Sequence, residues 1–173
     1  MKILVFGKSG QLGRAFQKQL SSLQGCMVNL NAQFIDRTDC DLANSETVFG
    51  VLSQHRPKLI INAAAYTDVE KAETESKLAN EINALAPKVM AQYAVEHDAT
   101  LLHYSTDYVF DGMKTDAYLE NDVRNPLSQY GKSKAAGELA IEEVFKNAKN
   151  GQYAILRTSW VYGDGSNFIK TIL

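Results

Sequence analysis

Short uninterrupted apolar runs alternate along this chain with longer stretches of helical period. Ile3-Leu4-Val5-Phe6 is a continuous apolar run that stops at Gly7, as a strand buried on both faces should. Leu12, Ala15, Phe16, Leu20 and Leu23 then recur at helical spacing and predict a helix over Gln11–Leu23. A weak second strand is expected at Gln33–Ile35. A helix follows, capped by Asn44 or Ser45 and running to about Gln54, and Arg56-Pro57 ends it because proline disfavours helix in the residue before it. Leu59-Ile60-Ile61 predicts the third strand. The region from about Val69 to Val95 reads as helical, with Thr67 or Asp68 as cap, Pro87 as an interruption and a new helix starting near Ala86. Thr100–Ser105 predicts a fourth strand, Asp111–Asn125 an irregular polar segment, Ser128–Asn147 a helix and Tyr153–Arg157 a fifth strand. Gly163-Asp164-Gly165 reads as a turn, and Asn167–Leu173 as the start of another helix.

Alternation of this kind predicts an α/β fold, a Rossmann-like doubly wound parallel sheet covered by helices. Ligands on such sheets sit at the carboxyl ends of the strands, so the residues just after each strand carry the candidate chemistry.

Composition narrows the classes. The chain has 173 residues, 45% hydrophobic and 22% charged, which is one domain able to bury a core without a staple. Eighteen basic against 20 acidic residues give a net charge of −2 with no like-charged block, which argues against a nucleic-acid partner. No apolar run reaches the roughly 20 residues of a membrane span, and the apolar run at the N-terminus is too short for a signal-peptide core. Cys26 and Cys40 have no metal-ligand spacing and read as two reduced thiols of a cytoplasmic protein, with no metal site.

The first strand is followed by Gly7-Lys8-Ser9-Gly10-Gln11-Leu12-Gly13, a G-x-x-G-x-x-G turn that opens a helix. A pyrophosphate needs backbone N–H groups at a helix N-terminus and no side chain in the way. Gly7 permits the tight turn, Gly10 the approach of backbone to phosphate, and Gly13 the packing of helix on strand. Gln11 and Leu12 would offer amide N–H groups and Ser9 a hydroxyl. An ordinary glycine-rich turn has the same letters, so the motif gains weight from its place. Asp36 stands where a carboxylate meets the adenine ribose, and Arg37 beside it could meet a 2′-phosphate; the pair does not separate NADH from NADPH. Asp41 and Leu42 could flank an adenine ring. Ala63, Ala64 and Ala65 after the third strand leave room for a ligand, or for tight packing.

Tyr130-Gly131-Lys132-Ser133-Lys134 puts Tyr130 and Lys134 four residues apart on one helix face, with Lys132 pointing elsewhere. A phenol of pKa ~10 is a poor acid–base group at neutral pH, and a nearby ammonium lowers that value. Such a pair can protonate a carbonyl oxygen that becomes an alkoxide. Thr106, at the end of the fourth strand, could hydrogen-bond the same oxygen. Glycine turn, strand-end hydroxyl and Tyr-x-x-x-Lys together are far more specific than any one alone.

Five stretches carry a resemblance: Phe6–Gly13, Ile61–Glu73, His103–Gly112, Asn125–Lys134 and Arg157–Gly163. Through them the chain resembles the extended short-chain dehydrogenases/reductases. The resemblance implies NADPH- or NADH-dependent reduction of the 4-keto group of a dTDP-sugar. It assigns Tyr130 as proton donor, Lys134 as the group that lowers the Tyr130 pKa and holds the nicotinamide ribose, and Thr106 as binder of the substrate oxygen. It places Asp107 and Trp160 near the sugar nucleotide, and Gln11, Leu12, Asp41, Leu42, Ala65, Tyr66, Thr67 and Tyr104 along the cofactor. Family members form dimers and some use Mg²⁺, so a homodimer is compatible with the resemblance and a metal is not assigned. Full members continue into a C-terminal substrate-binding region, expected here beyond Leu173. On that reading residues 1–173 are the NAD(P)-binding domain, able to bind nucleotide but weak in turnover alone. Two alternatives stay open: a nucleotide-sugar epimerase, and a non-catalytic module like the regulatory subunit of methionine adenosyltransferase. A 4,6-dehydratase is disfavoured, because Asp107 is followed by Tyr108 where those enzymes carry Glu.

Overall fold

The computed structural model describes residues 1–23 and 30–163. Cys26, part of the Gly163–Gly165 turn and the helix expected at Asn167–Leu173 lie outside the described residues.

Among the described residues, five parallel strands form one sheet: β1 (Lys2–Phe6), β2 (Asn31–Ile35), β3 (Leu59–Asn62), β4 (Thr100–Thr106) and β5 (Gln152–Thr158). Their order is β2-β1-β3-β4-β5. The chain leaves β1 to one side for β2 and returns to the other side for β3, so the switch point lies between β1 and β3. Every connection is a crossover, and the described α-helices are α1 (Gln11–Leu23), α2 (Ser45–His55), α3 (Val69–Ala72), α4 (Ser76–Asn80), α5 (Ala86–Glu96) and α6 (Gln129–Phe145). None of the described helices is long and apolar enough to cross a membrane.

The two sheet faces are covered unequally. Leu4, Phe6, Ile60 and Leu101 pack with Val48 and Leu52 of α2, Met90 and Tyr93 of α5 and Ile141 of α6. Each such side chain, fully removed from water, contributes about 1.5–3 kcal/mol. On the opposite face Ile3, Val5 and Ile61 meet Phe16 and Leu20 of α1. Among the described residues, no helix other than α1 packs on that face and Leu156 of β5 is 41% exposed.

Local chemistry sets the helix ends. The Asn44 side chain accepts from the N–H of Glu46 (2.9 Å) and Thr47 (3.3 Å) at the start of α2. Arg56, left-handed at φ 49°, ends it before Pro57 by donating its N–H to Leu52 O at 2.8 Å. Asp68 caps α3 through Lys71 N at 3.0 Å, and Ser128 caps α6 through Gly131 N at 3.1 Å.

As the sequence suggests, a new helix, α5, starts at Ala86 with Pro87 in its first turn, but the chain stays helical across the junction. α4 runs through one π-helical turn, Glu81–Leu85, straight into α5, with the Ala86 N–H bonded to Glu81 O. Proline has no N–H for the carbonyl four residues back, here Asn83. The extra residue of the π turn absorbs that mismatch. The Asn83 carbonyl is instead turned against α6, where a Cβ built on Gly137 would lie 2.1 Å from it. Glycine at 137 is therefore what lets α6 approach this helix.

Candidate functional site

The glycine turn closes tightly. Gly7 has φ 93°, and its carbonyl oxygen accepts from Gly10 N at 3.0 Å. A Cβ on Gly13 would sit 2.0 Å from that same oxygen, so only glycine lets α1 start this close to β1. The N-terminus of α1 then faces a cleft of ≈ 890 Å³ at the switch point, within the usual range for cofactor sites. Gly7, Ser9, Gly10, Gln11 and Leu12 line it from the turn, Asp36, Arg37, Asp41 and Leu42 from the segment after β2, and Ala63 to Thr67 from the segment after β3.

The cleft fits a dinucleotide on three counts. It presents a helix N-terminus to an anion. It holds Gln11 Oε1, a buried acceptor with no partner among the described residues. It also places a carboxylate and a guanidinium, Asp36 and Arg37, at one end. Asp36 is preorganised: its Oδ1 accepts from the Thr38 hydroxyl at 2.6 Å and Thr38 N at 2.9 Å, and Lys8 lies 3.7 Å from Oδ2. Those hydrogen bonds, that of the Thr38 side chain first, hold its pKa below the ordinary value.

Thr106, Tyr130 and Lys134 do not line this cleft; they meet at the end of β4, the strand next to β3. Thr106 is buried and its hydroxyl caps a 3-10 turn, Asp107–Val109, accepting from Tyr108 N at 3.2 Å. The same hydroxyl donates to Asp107 Oδ1 at 3.2 Å and stands near enough to the Tyr130 phenol to influence its pKa. The Tyr130 ring meets Tyr108 edge-on, with centroids 5.7 Å apart. Burial pushes its phenol above the usual tyrosine range, and the Thr106 hydrogen bond opposes that push. The resemblance implies a phenol drawn down by Lys134; in the structure desolvation comes first among the influences on Tyr130, and its pKa lies above the ordinary value.

Lys134 is buried at 2% exposure. Its Nζ donates to Tyr104 O at 2.7 Å and lies 3.4 Å from His103 Nε2. Desolvation draws its pKa from 10.5 down to about 8, against the pull of Glu138. The folded chain therefore binds one proton fewer than the unfolded chain between pH about 8 and 10.5. Stability should rise with pH across that window, by on the order of 3 kcal/mol from this group. Urea titrations of the chain and of Lys134→Met at several pH values would show that rise in the former only; equal slopes would dismiss the shift.

Tyr104 does not line the cleft: its ring packs against Phe16 on the α1 face, centroids 6.0 Å apart, and its contribution is the carbonyl that holds Lys134. Asp107, Trp160 and Lys132 are exposed, Trp160 at 56%.

Three side chains escaped the sequence reading. Asn83, in the π turn, accepts from Tyr66 N (2.8 Å) and donates to Tyr66 O (3.0 Å) and Ser133 Oγ (2.9 Å). Ser133 in turn donates to Tyr130 O at 2.7 Å, so one amide ties the cleft wall to the helix that carries Tyr130. Glu73 holds the start of α6 through Gln129 N at 2.8 Å. Glu138 is fully buried between Arg157, which bonds both its oxygens (3.0 and 3.2 Å from Nε), and Arg124 at 2.6 Å. Arg124 also pairs with Glu142.

Over nearly its whole length the chain is similar to known proteins. The dTDP-4-dehydrorhamnose reductase of Escherichia coli (strain K12) is 45% identical over 176 residues, covering 100% of this chain and 56% of that protein. The reductase of the same name from Aggregatibacter actinomycetemcomitans is 40% identical over 177 residues, covering 99% and 56%. The crystal structure of a Clostridium acetobutylicum dTDP-4-dehydrorhamnose reductase superposes with a TM-score of 0.88 at 42% identity, covering 99% of this chain and 58% of that one. The Bacillus anthracis dTDP-4-dehydrorhamnose reductase, solved in complex with NADP, gives 0.87 at 36% identity over 99% and 58%. The chain thus spans a little over half the length of these relatives. The family model for the RmlD substrate binding domain matches it from residue 1 to residue 173, and the chain belongs to that family.

Proposed function

We propose that this chain carries the cofactor site and the proton-donor site of an NADPH- or NADH-dependent reductase that converts dTDP-4-dehydro-L-rhamnose to dTDP-L-rhamnose. The observation that carries this reading is the meeting of Thr106 and Tyr130 at the end of β4, with Lys134 on the same helix face and the dinucleotide cleft alongside. The named relatives act in the same sense, and one of them was solved with NADP.

When bound, the reduced nicotinamide supplies a hydride to the sugar carbonyl carbon. The glycine turn and the α1 N-terminus bind its pyrophosphate. Thr106 donates to or shares a proton with the carbonyl oxygen, and Tyr130 gives that oxygen a proton as charge develops on it. Lys134, anchored on the Tyr104 carbonyl, holds the nicotinamide ribose. Asp107 and Trp160 border the sugar, a homodimer is compatible with the arrangement, and the setting is cytoplasmic biosynthesis of cell-wall or lipopolysaccharide sugars.

The test is NAD(P)H oxidation, followed by absorbance, with the dTDP-4-keto-6-deoxyhexose as substrate. Consumption of one equivalent of reductant per sugar supports the proposal. Interconversion of sugars without net reductant, with nicotinamide retained on the protein, would point to an epimerase, and binding without turnover, even when a chimera supplies the remaining length of a relative, to a regulatory module.

A further inference from the structure

Across the sheet, one row of side chains at the carboxyl end faces the α5–α6 layer. It reads Ile35, Phe6, Asn62, His103, Ile155 from β2 to β5. Three positions are apolar core. The two central ones are polar and almost wholly buried, His103 at 0% and Asn62 at 1%. Such a pair is costly in a core unless its hydrogen bonds are made.

They are made in a fixed order. The Ala64 N–H donates to Asn62 Oδ1 at 3.3 Å, so the amide turns its Nδ2 to His103 Nδ1, 3.0 Å away. A neutral imidazole carries one N–H. With Nδ1 accepting, that hydrogen sits on Nε2, and Nε2 faces Lys134 Nζ at 3.4 Å. A lysine amine has a lone pair to accept that hydrogen; an ammonium has only donors. We propose that Asn62 and His103 are positioning residues for Lys134: Asn62 holds His103 as its Nε2–H tautomer, and that N–H meets the lysine as a donor.

The consequence is a lysine poised to gain and lose its proton near pH 8, seated between the His103 N–H and the Tyr104 carbonyl. The buried imidazole itself is held neutral, by desolvation first and then by the lysine charge. The other groups around the pair are accounted for. On α6, Tyr130 lies one turn before Lys134, and Glu138 one turn after favours the charged lysine. Glu138 is itself engaged by Arg157 of β5 and by Arg124 of the preceding loop. The Tyr104 phenol lies on the opposite sheet face, under α1.

The catalytic meaning of this device rests on the proposed reductase reading; the tautomer does not. Nitrogen-15 NMR of the full chain with labelled histidine reads the ring directly, and with three histidines in the sequence assignment is simple. Above the Lys134 titration at about pH 8, where the amine can accept, His103 should show the Nε2–H pattern, and the ring should stay neutral well below the ordinary imidazole range. An Nδ1–H pattern above that pH, or protonation at the ordinary imidazole value of about 6.5, overturns the proposal. In Asn62→Asp the carboxylate can only accept, so the ring hydrogen should move to Nδ1. Nε2 then accepts from the lysine, and the alkaline limb of kcat with NADPH and keto-sugar nucleotide should move up by about one pH unit. A folded Asn62→Asp variant with the native limb would reduce the pair to core packing. If that variant does not fold, the native ring signals decide. Those signals do not depend on turnover, so they stand or fall apart from the reductase reading.

Discussion

Tyr130→Phe is expected to lower keto-sugar turnover by about 10²–10⁴-fold, the usual contribution of a positioned proton donor. NADPH affinity, read by fluorescence titration, should stay close to that of the native chain. The structure separates the two properties. Phenylalanine keeps the edge contact with Tyr108 and the place of the ring on α6, and only the hydroxyl next to Thr106 is lost. Burial holds the native phenol protonated, the state a donor to a forming alkoxide needs. The cofactor cleft is built from β1, the segments after β2 and β3 and the start of α1, none of which the substitution touches. Turnover near the native rate in the variant would remove Tyr130 from the chemistry, whatever the fate of binding.

The largest expected effect on stability lies one helical turn past Lys134. Glu138→Ala would strand two guanidinium groups, those of Arg124 and Arg157, each with a side chain only 17% exposed. Removing one member of a buried ion cluster costs about 3–5 kcal/mol. Because the arginines keep some contact with water, and Arg124 keeps Glu142, a loss near the lower end, about 3 kcal/mol, is expected. Against a typical total of about 5–15 kcal/mol that is a large share. Urea unfolding should show the midpoint fall with little change in slope. Glu138→Gln retains acceptor and shape, so its loss should be smaller. An unchanged midpoint in the alanine variant would show the cluster to be ornamental. The cluster spans β5, α6 and the loop before α6, and Arg157 also donates to Glu120 O at 2.9 Å. The variant should therefore loosen that loop first, seen as faster amide exchange over residues 111–127.

Much of this molecule could be read before its coordinates because the relevant physics is local. The apolar runs mark strands, and the helix expected from Gln11 starts there as α1. The glycine turn was legible because a phosphate-binding turn tolerates no Cβ, and Gly13 shows why: a methyl there would enter the Gly7 carbonyl. Tyr130 and Lys134 were legible because helical spacing alone puts them on one face.

The features that escaped depend on register or on main chain. Asn62 and His103 are 41 residues apart and meet only because β3 pairs with β4 in one register. Tyr104 reads as a side chain along the cofactor, yet its carbonyl holds the lysine, and a sequence gives no sign of which part of a residue will be used. Burial of Tyr130 depends on Tyr108 and on the packing of α6, so the direction of its pKa was hidden too. Asn83 was masked by helical period: an amide inside a long helical run reads as surface until the π turn swings it inward.

That π turn has a further consequence. One residue inserted into an α-helix rotates everything beyond it by about 100°. The run Ser76–Glu96 carries such an insertion, and Met90, Ala91, Tyr93 and Ala94 reach the core only with that added rotation. A single-residue deletion within Glu81–Leu85 would leave a more regular helix and turn the apolar stripe of α5 away from the sheet. The segment that looks least ideal is therefore a phase setter. A change in its length displaces the whole buried stripe of α5, whereas a change of side chain acts at one position.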